Sequence, residues 1–321
     1  MATQTASNQQ NEAYFMSRDA MASARLTLQH QSMVARQGYI LHPSIISALD
    51  LSSESLSDDR RPVQILDLGT GNGIWVIDLN ASLTSSKRPF EITGLDISDA
   101  QFPPKQSWPA NTTFATYDIF SDPPEQYTNK FDVIHIKLIM SVLIQNETRK
   151  EVVISNVRKM LKPGGYLQWT EPPAPTYSTL ILPPNADGTC AIRDDEHLDA
   201  LVVMDKYLPI QTATLWGNQL DEFVARHGFT DVKAHWAPMR FERVKYEADL
   251  SVWSLEETAK GVLKLSEQPE HVQRMLGWKG PGLGQEGRKE ILEAIQNTFG
   301  ELQRGEKLIG MRILTVVGKM V

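Results

Sequence analysis

The sequence predicts an α/β fold built on a mostly parallel β-sheet. Five short apolar runs between residues 63 and 171 have the length of buried strands, and helical periodicity marks 74–83 and 149–161 between them. Strands that alternate with helices form right-handed βαβ units, in which the strands are parallel. The turn after the first run, Gly69-Thr-Gly71-Asn-Gly73, is rich in glycine, as expected where a backbone closely approaches a ligand.

The region before the sheet predicts a helical cover. Residues 1–12 are polar and are expected to form a disordered tail. Apolar side chains then recur at helical spacing from Met21 to Val34, which predicts an N-terminal lid over residues 13–50. A polar linker separates this lid from the domain that we assign to residues 60–321.

The predicted strands all end near a polar or acidic residue, which places these side chains along one edge of the sheet. The strands are expected at residues 63–68, 90–95, 113–117, 131–136 and 166–170. The second half is less regular, with a proline-rich stretch, four helical stretches and two late strands at 229–236 and 312–317. We expect segments 172–228 and 241–310 to form a cap that selects the substrate.

Composition and charge exclude several classes of function. With 32 basic and 39 acidic residues among 321, the net charge is −7, which disfavours non-specific binding to nucleic acids or anionic membranes. Cys190 is the sole cysteine, which excludes an internal disulfide framework and a cysteine-based zinc site. No secretory signal or membrane-spanning run is visible, so we expect a cytoplasmic protein that acts on a small molecule.

Two acidic residues follow strands near the glycine turn. The glycine spacing is G-x-G-x-G, one residue short of the dinucleotide fingerprint G-x-G-x-x-G. Asp96 ends the second strand, where a carboxylate can accept hydrogen bonds from ribose hydroxyls. Asp118 follows the third strand, where it can accept from the amine of adenine. The pattern predicts a nucleoside site without a clear pyrophosphate cradle.

At this point the sequence resembles the class I S-adenosylmethionine-dependent methyltransferases. Five segments carry the resemblance, in the family's order and spacing: Asp67 to Gly73, Gly94 to Asp96, Tyr117 to Ile119, Phe131 to His135 and Leu161 to Tyr166. The resemblance implies a Rossmann-like, seven-stranded sheet with an antiparallel edge strand, and S-adenosylmethionine as cofactor. It also implies these cofactor-binding residues: Asp67, Gly69, Thr70, Gly71, Gly73, Asp96, Ile97, Asp118, Ile119, His135 and Ile136.

Two further segments resemble a fungal group within that family. They are Arg25-Leu-Thr-Leu-Gln29-His30, which precedes the sheet, and Trp169-Thr-Glu171 at the end of the fifth strand. That group acts largely in secondary metabolism and includes a velvet-associated regulator. The resemblance therefore implies methyl transfer to an O, N or S atom of a fungal secondary metabolite.

Three residues are candidates for catalysis, each with an alternative structural role. His135 and His30 titrate near neutrality and are candidate general bases, although either can instead pack inside the protein. Glu171 lies at the same sheet edge, where it can orient a substrate or cap the following turn. Methyl transfer needs a base only when the acceptor must lose a proton, so none of the three is required by the chemistry.

Other functions stay open at this stage. A regulatory protein can keep the fold and bind the cofactor without turnover, and a related enzyme can catalyse a rearrangement without methyl transfer. A nicotinamide oxidoreductase is a more distant alternative. No metal site is expected, because the adjacent acids at 194–197 point around a helix and do not converge. A homodimer is a possible assembly.

Overall fold

The computed structural model describes residues 17–52, 61–143, 148–193, 198–207, 214–268 and 284–321. The predicted tail at 1–12 and the acidic cluster at 194–197 lie outside these ranges. Within them, no helix combines the length and the apolar character needed to cross a bilayer.

Two helices precede the sheet, in the region predicted as the lid. Helix α1 spans Ala20–Gln37 and α2 spans Pro43–Ala48. Asp19 caps α1 by accepting a hydrogen bond from the N–H of Ala22, and Gly38 ends it with a φ of +81°.

The predicted α/β fold with a seven-stranded, mostly parallel sheet is confirmed. Its strand order is β3-β2-β1-β4-β5-β10-β8. Strands β1 to β5 are parallel, whereas β10 is antiparallel to both of its neighbours and β8 forms the edge. The strands are β1 Val63–Leu68, β2 Phe90–Asp96, β3 Thr112–Thr116, β4 Phe131–Lys137, β5 Leu161–Glu171, β8 Phe229–Trp236 and β10 Leu314–Met320.

Helices cover both faces of this sheet. Alternate residues of β1 belong to two different apolar clusters. Val63 and Ile65 pack with α2 and with the helix that follows β1, whereas Leu66 and Leu68 pack with the helices at 149–160 and 220–226. This period of two is the pattern of a strand buried on both faces. The covering helices are α3 Ile74–Ser82, the short α4 Met140–Leu143, α5 Arg149–Met160 and α7 Leu220–Arg226.

The cap region contains a small second sheet that the sequence did not predict. Strands β6 Tyr177–Ile181, β7 Ala191–Arg193 and β9 Ile309–Met311 form it in the order β7-β6-β9. Three helices share an apolar cluster beside it, α6 Asp199–Tyr207, α8 Val244–Leu265 and α9 Gly284–Gln303. Met33 of α1 belongs to the same cluster, so the N-terminal helix packs against the cap.

Candidate cofactor and active site

A cavity opens at the carboxyl-terminal edge of the parallel strands, which is the usual ligand edge of an α/β sheet. Eight of the predicted site residues line it: Asp67, Gly69, Thr70, Gly71, Asp96, Ile97, Asp118 and Ile119. Five others are not among its described lining residues: Gly73, His135, Ile136, His30 and Glu171. Most of the predicted cofactor-binding residues therefore line one cavity, whereas the three catalytic candidates are not among its lining residues.

The glycine loop between β1 and α3 presents its backbone to the cavity. Gly69 and Gly71 have φ values of +78° and +57°, a region that glycine adopts without strain. The N–H groups of Gly69 and Thr70 both donate to the carbonyl oxygen of Leu95, at 2.8 and 2.9 Å. These bonds fix the loop against the end of β2.

Gly73 shapes the same loop from its far side. Its φ is +73°, and a Cβ atom built on it would lie 2.7 Å from the ring of Phe114. Gly94 on β2 is equally confined, because its Cβ would lie 2.6 Å from that ring. Glycine at position 73 is thus explained by packing and backbone conformation, without a contact to the cavity.

Asp96 is a desolvated carboxylate at the cavity wall. Its Oδ2 accepts from the N–H of Gly71 at 2.8 Å, and its Oδ1 accepts from the N–H of Ser98 at 3.2 Å. Burial raises the pKa of Asp96, although both N–H contacts oppose this change. A carboxylate can accept about four hydrogen bonds, so Asp96 retains acceptor positions for a pair of ribose hydroxyls.

Asp118 and Ile119 line the cavity just after β3. Asp118 holds this turn, because its Oδ1 accepts from the N–H of Phe120 at 3.0 Å and its Oδ2 from the Ser121 hydroxyl at 3.1 Å. The carbonyl oxygen of Ile119 accepts from the Asn156 amide at 2.9 Å, which ties the turn to α5. An acceptor carboxylate beside an apolar side chain suits an adenine ring and its amine.

Asp67 and His135 support the glycine loop from below. Asp67 Oδ1 lies 2.7 Å from His135 Nδ1, and its Oδ2 accepts from the Thr70 hydroxyl at 2.7 Å. The imidazole stacks on the Trp75 indole, with ring centroids 3.9 Å apart and planes inclined by 4°. His135 is fully buried, and burial lowers its pKa. In this position its ring orders Asp67, and its role as a base stays a prediction.

Glu171 makes all of its described contacts with the protein itself. Its Oε1 accepts from the N–H of Ile139 at 3.0 Å and from the Trp169 indole N–H at 2.8 Å, and its Oε2 accepts from the N–H of Met140 at 3.2 Å. Burial raises the pKa of Glu171 to about 7. The carboxylate thus holds the chain that leaves β4, and it does not cap the turn after β5.

His30 and Lys137 meet beside the cavity. His30 Nδ1 lies 3.0 Å from the Lys137 ammonium nitrogen, and its Nε2 lies 2.9 Å from Oδ2 of Asp78 on α3. His30 is buried, whereas Lys137 lines the cavity. Sequence analysis missed Lys137, although its place as the last residue of β4 was a usable signal.

Other cavity residues had no signal in the sequence. They come from α1 and the residues just before it, from the segment after β2, from the chain around α4 and from the start of α5, and include Arg18, Leu26, Gln101, Leu138, Ile139, Val142 and Arg149. Among the described residues, no group of three or more histidine, cysteine or acidic side chains is arranged to hold a metal ion.

The comparisons with known proteins point to the same region. Residues 59–212 match the model of a family described as a methyltransferase domain. Methyltransferase grgD from a Penicillium species is 32% identical over 167 residues, 50% of this chain and 53% of that protein. N-methyltransferase gliN of Aspergillus fumigatus is 30% identical over 161 residues, 49% of this chain and 50% of gliN.

Two further comparisons extend these findings. N-methyltransferase sirN of Leptosphaeria maculans is 31% identical over 158 residues, which make up 49% of each chain. The chain spans about half the length of the curated relatives it matches. Among solved structures, a putative sarcosine dimethylglycine methyltransferase from Galdieria sulphuraria is 15% identical at a TM-score of 0.41, over 93% of this chain and 85% of that one.

The glycine loop after β1, the carboxylate at the end of β2 and the carboxylate after β3 lie around one cavity at the edge of the sheet, which is the arrangement that a nucleoside site needs. The segment that contains this site matches the methyltransferase-domain model, and the site is similar to that of the class I S-adenosylmethionine-dependent methyltransferases. The cofactor of this class is S-adenosylmethionine, and the acceptors on Asp96 and Asp118 fit its ribose and adenine.

Proposed function

We propose that the protein transfers a methyl group from S-adenosylmethionine to an O, N or S atom of a small molecule, a fungal secondary metabolite. The observation that carries this proposal is the cavity bounded by the glycine loop, Asp96 and Asp118. Nitrogen is the first acceptor to test, because gliN and sirN are both named N-methyltransferases.

The bound cofactor supplies a methyl group that its sulfonium already activates. The chain's own part is to hold the reactants in line and to exclude water. For the first task, the loop from Gly69 to Gly73 and the carboxylate of Asp96 provide fixed partners. For the second, we propose that residues 13–50 act as a lid and that 172–228 and 241–310 act as a cap.

Contacts between α1 and the glycine loop support the lid. The Asn72 side-chain amide donates to the Ser23 carbonyl oxygen and to the Thr27 hydroxyl, both at 2.9 Å. Leu26, on the adjacent part of α1, lines the cavity directly. A helix that both bonds to the loop and lines the cavity can restrict access of water to the methyl group.

Cofactor binding is tested by isothermal titration calorimetry on Asp96→Ala. Loss of hydrogen bonds from a carboxylate costs about 1.5–3 kcal/mol, which corresponds to roughly 10- to 100-fold weaker binding of S-adenosylmethionine. Asp99→Ala is the matched control, because Asp99 is exposed and does not line the cavity. Equal affinities in the two variants would remove Asp96 from the cofactor site.

Turnover is tested with labelled S-adenosylmethionine and extracts of the source organism, with the products identified by mass. A product in which a methyl group replaces a hydrogen, heavier by CH2, supports the proposal. A cofactor-dependent product of unchanged mass supports the rearrangement instead, and the absence of any product supports the regulatory alternative. A cytoplasmic location and a homodimer stay predictions that cell fractionation and analytical ultracentrifugation can test.

A further inference from the structure

Lys137 brings a positive charge to the wall of the cofactor cavity. It is the last residue of β4, where it pairs with Thr170 of β5, and the carboxylate of Asp67 on β1 acts on its charge. The fully buried Glu171 follows Thr170 at the end of β5. The carboxylate of Glu171 is occupied by backbone and indole N–H groups. The lysine's own hydrogen-bond partner is His30 on the lid helix, at 3.0 Å.

The arrangement around His30 defines which of its nitrogens carries the proton. Asp78 Oδ2 lies 2.9 Å from Nε2, and a carboxylate there accepts a hydrogen bond. Nε2 is therefore the protonated nitrogen, and Nδ1 keeps a lone pair that faces Lys137. Burial, and to a smaller extent the charge of Lys137, lowers the pKa of His30 to about 2, so the imidazole is neutral. Asp78 and His30 thus form a fixed acceptor that orients the lysine.

The charges near Lys137 have opposing effects on its proton. Burial lowers the pKa of Lys137 to about 8, while Asp67 and Asp78 act in the opposite direction. His135, the nearby residue of β4, is neutral because burial lowers its pKa as well. At pH 7 a group with this pKa is about 90% protonated, so the free protein carries a lysine ammonium at the cavity.

We propose that Lys137 releases its proton when a sulfonium cofactor enters the cavity and then serves as the proton acceptor for the substrate, oriented by His30 and Asp78. This inference rests on the proposed function. Two cations in one cavity of low dielectric repel each other, which favours the neutral amine. A neutral amine at the cavity wall is the form of lysine that can accept a proton.

The proton step balances as follows. An acceptor N–H or O–H bond breaks, its electron pair stays on the acceptor atom that receives the methyl group, and the proton forms a new N–H bond on Lys137. The resulting ammonium keeps its hydrogen bond to Nδ1 of His30. The proton passes to water before the next cycle. His30 and Asp78 are positioning residues in this scheme and do not change their net charge.

Calorimetry in buffers of different ionisation enthalpy counts the protons released when a ligand binds, and it needs no substrate. At pH 7 we expect the wild-type protein to release up to about 0.9 proton with S-adenosylmethionine, because about 90% of Lys137 is protonated in the free protein and the sulfonium favours the neutral amine. S-adenosylhomocysteine carries the same amino and carboxyl groups without the sulfonium charge. It should release close to none.

Variants separate Lys137 from other titrating groups. Lys137→Met and Lys137→Gln should abolish the release with S-adenosylmethionine, and Lys159→Met should retain it. Lys159 is a matched control because it forms an exposed ion pair with Asp122 on the protein surface. Asp78→Asn removes a charge that favours the ammonium, so the pH profile of proton release should move to lower pH. Asp122→Asn should leave that profile unchanged.

The outcomes distinguish this inference from the proposed function. Absence of S-adenosylmethionine binding to the wild-type protein overturns both. Binding with equal proton release for the two cofactor forms, or release that persists in Lys137→Met, overturns the inference and leaves the proposed function intact. If both Lys137 variants fail to fold, the comparison of the two cofactors on the wild-type protein still decides. If the pH profile of proton release is the same in Asp78→Asn as in the wild-type protein, Asp78 is not a positioning residue for Lys137.

Discussion

Replacing Glu171 with glutamine tests how the chain leaving β4 is held. In the wild-type protein the carboxylate accepts three hydrogen bonds, from the N–H groups of Ile139 and Met140 and from the Trp169 indole. A glutamine oxygen in place of Oε1 can keep the bonds from Ile139 and Trp169. Its amide nitrogen is a donor and cannot accept from Met140, so the variant resembles the protonated acid and no longer titrates.

The expected change of the free energy of unfolding with pH follows from the pKa of Glu171 in the folded and unfolded states. It rises from an ordinary value of 4.5 to about 7, because the side chain is fully buried. Between these pH values the folded state binds more protons than the unfolded state, so the free energy of unfolding falls as the pH rises. The contribution of protonated Glu171 to the free energy of unfolding is fully present below pH 4.5 and is lost as the pH passes through 7. The fall amounts to about 2.5 kcal/mol between pH 5 and pH 8.

The assay is urea denaturation of the wild-type protein and of Glu171→Gln at several pH values from 5 to 8. The free energy of unfolding of the wild type, minus that of the variant, should fall steadily over this range. Glu125→Gln is the control, because Glu125 is exposed on the surface. The free energy of unfolding of the wild type minus that of Glu125→Gln should not change with pH. A wild-type-minus-Glu171→Gln difference that stays constant within about 0.5 kcal/mol would refute the reasoning from burial.

Two further variants test the supports of the cavity. Gly73→Ala combines a positive φ with a contact to Phe114, so it should lower the free energy of unfolding in urea by about 2–4 kcal/mol. Gly38→Ala is the control: Gly38 also has a positive φ but open space around it, so the loss should be only about 1–2 kcal/mol. Equal losses in the two variants would contradict the argument from packing. His135→Ala leaves Asp67 without its imidazole partner, so cofactor affinity and stability should both fall, stability by about 2–4 kcal/mol. An unchanged cofactor affinity by calorimetry would contradict this supporting role and favour the alternative that His135 is a base.

The central sheet and the cofactor edge were predictable because their signals are local. Apolar runs of strand length, each followed by a turn, define β1 to β5, and the acids that follow them share one edge by the geometry of parallel strands. Asp96 and Asp118 were found in this way, and both line the cavity. Gly73 was assigned to the cofactor through its motif, although packing against Phe114 accounts for it.

What the sequence did not predict depends on contacts between distant segments. The small second sheet pairs Tyr177 with Met311, and the three-residue strand β9 is too short to be recognised alone. The partnership of His30 with Lys137 joins residues 107 positions apart, through a helix whose docking the local pattern does not define. Such pairs follow from how the N-terminal helix and the second half of the chain pack on the sheet, which periodicity alone does not determine.

The inward position of Glu171 has a cause in the backbone next to it. Leu138, directly after β4, has a φ of +58°, and the chain turns there so that the N–H groups of Ile139 and Met140 face the interior. Buried N–H groups require an acceptor, and the glutamate at the end of the neighbouring strand supplies it. Leu138 and Ile139 line the cavity, so this carboxylate shapes the wall beside Lys137 without reaching the cavity itself. An acid at the end of β5 is therefore explained by the turn after β4, independently of the substrate.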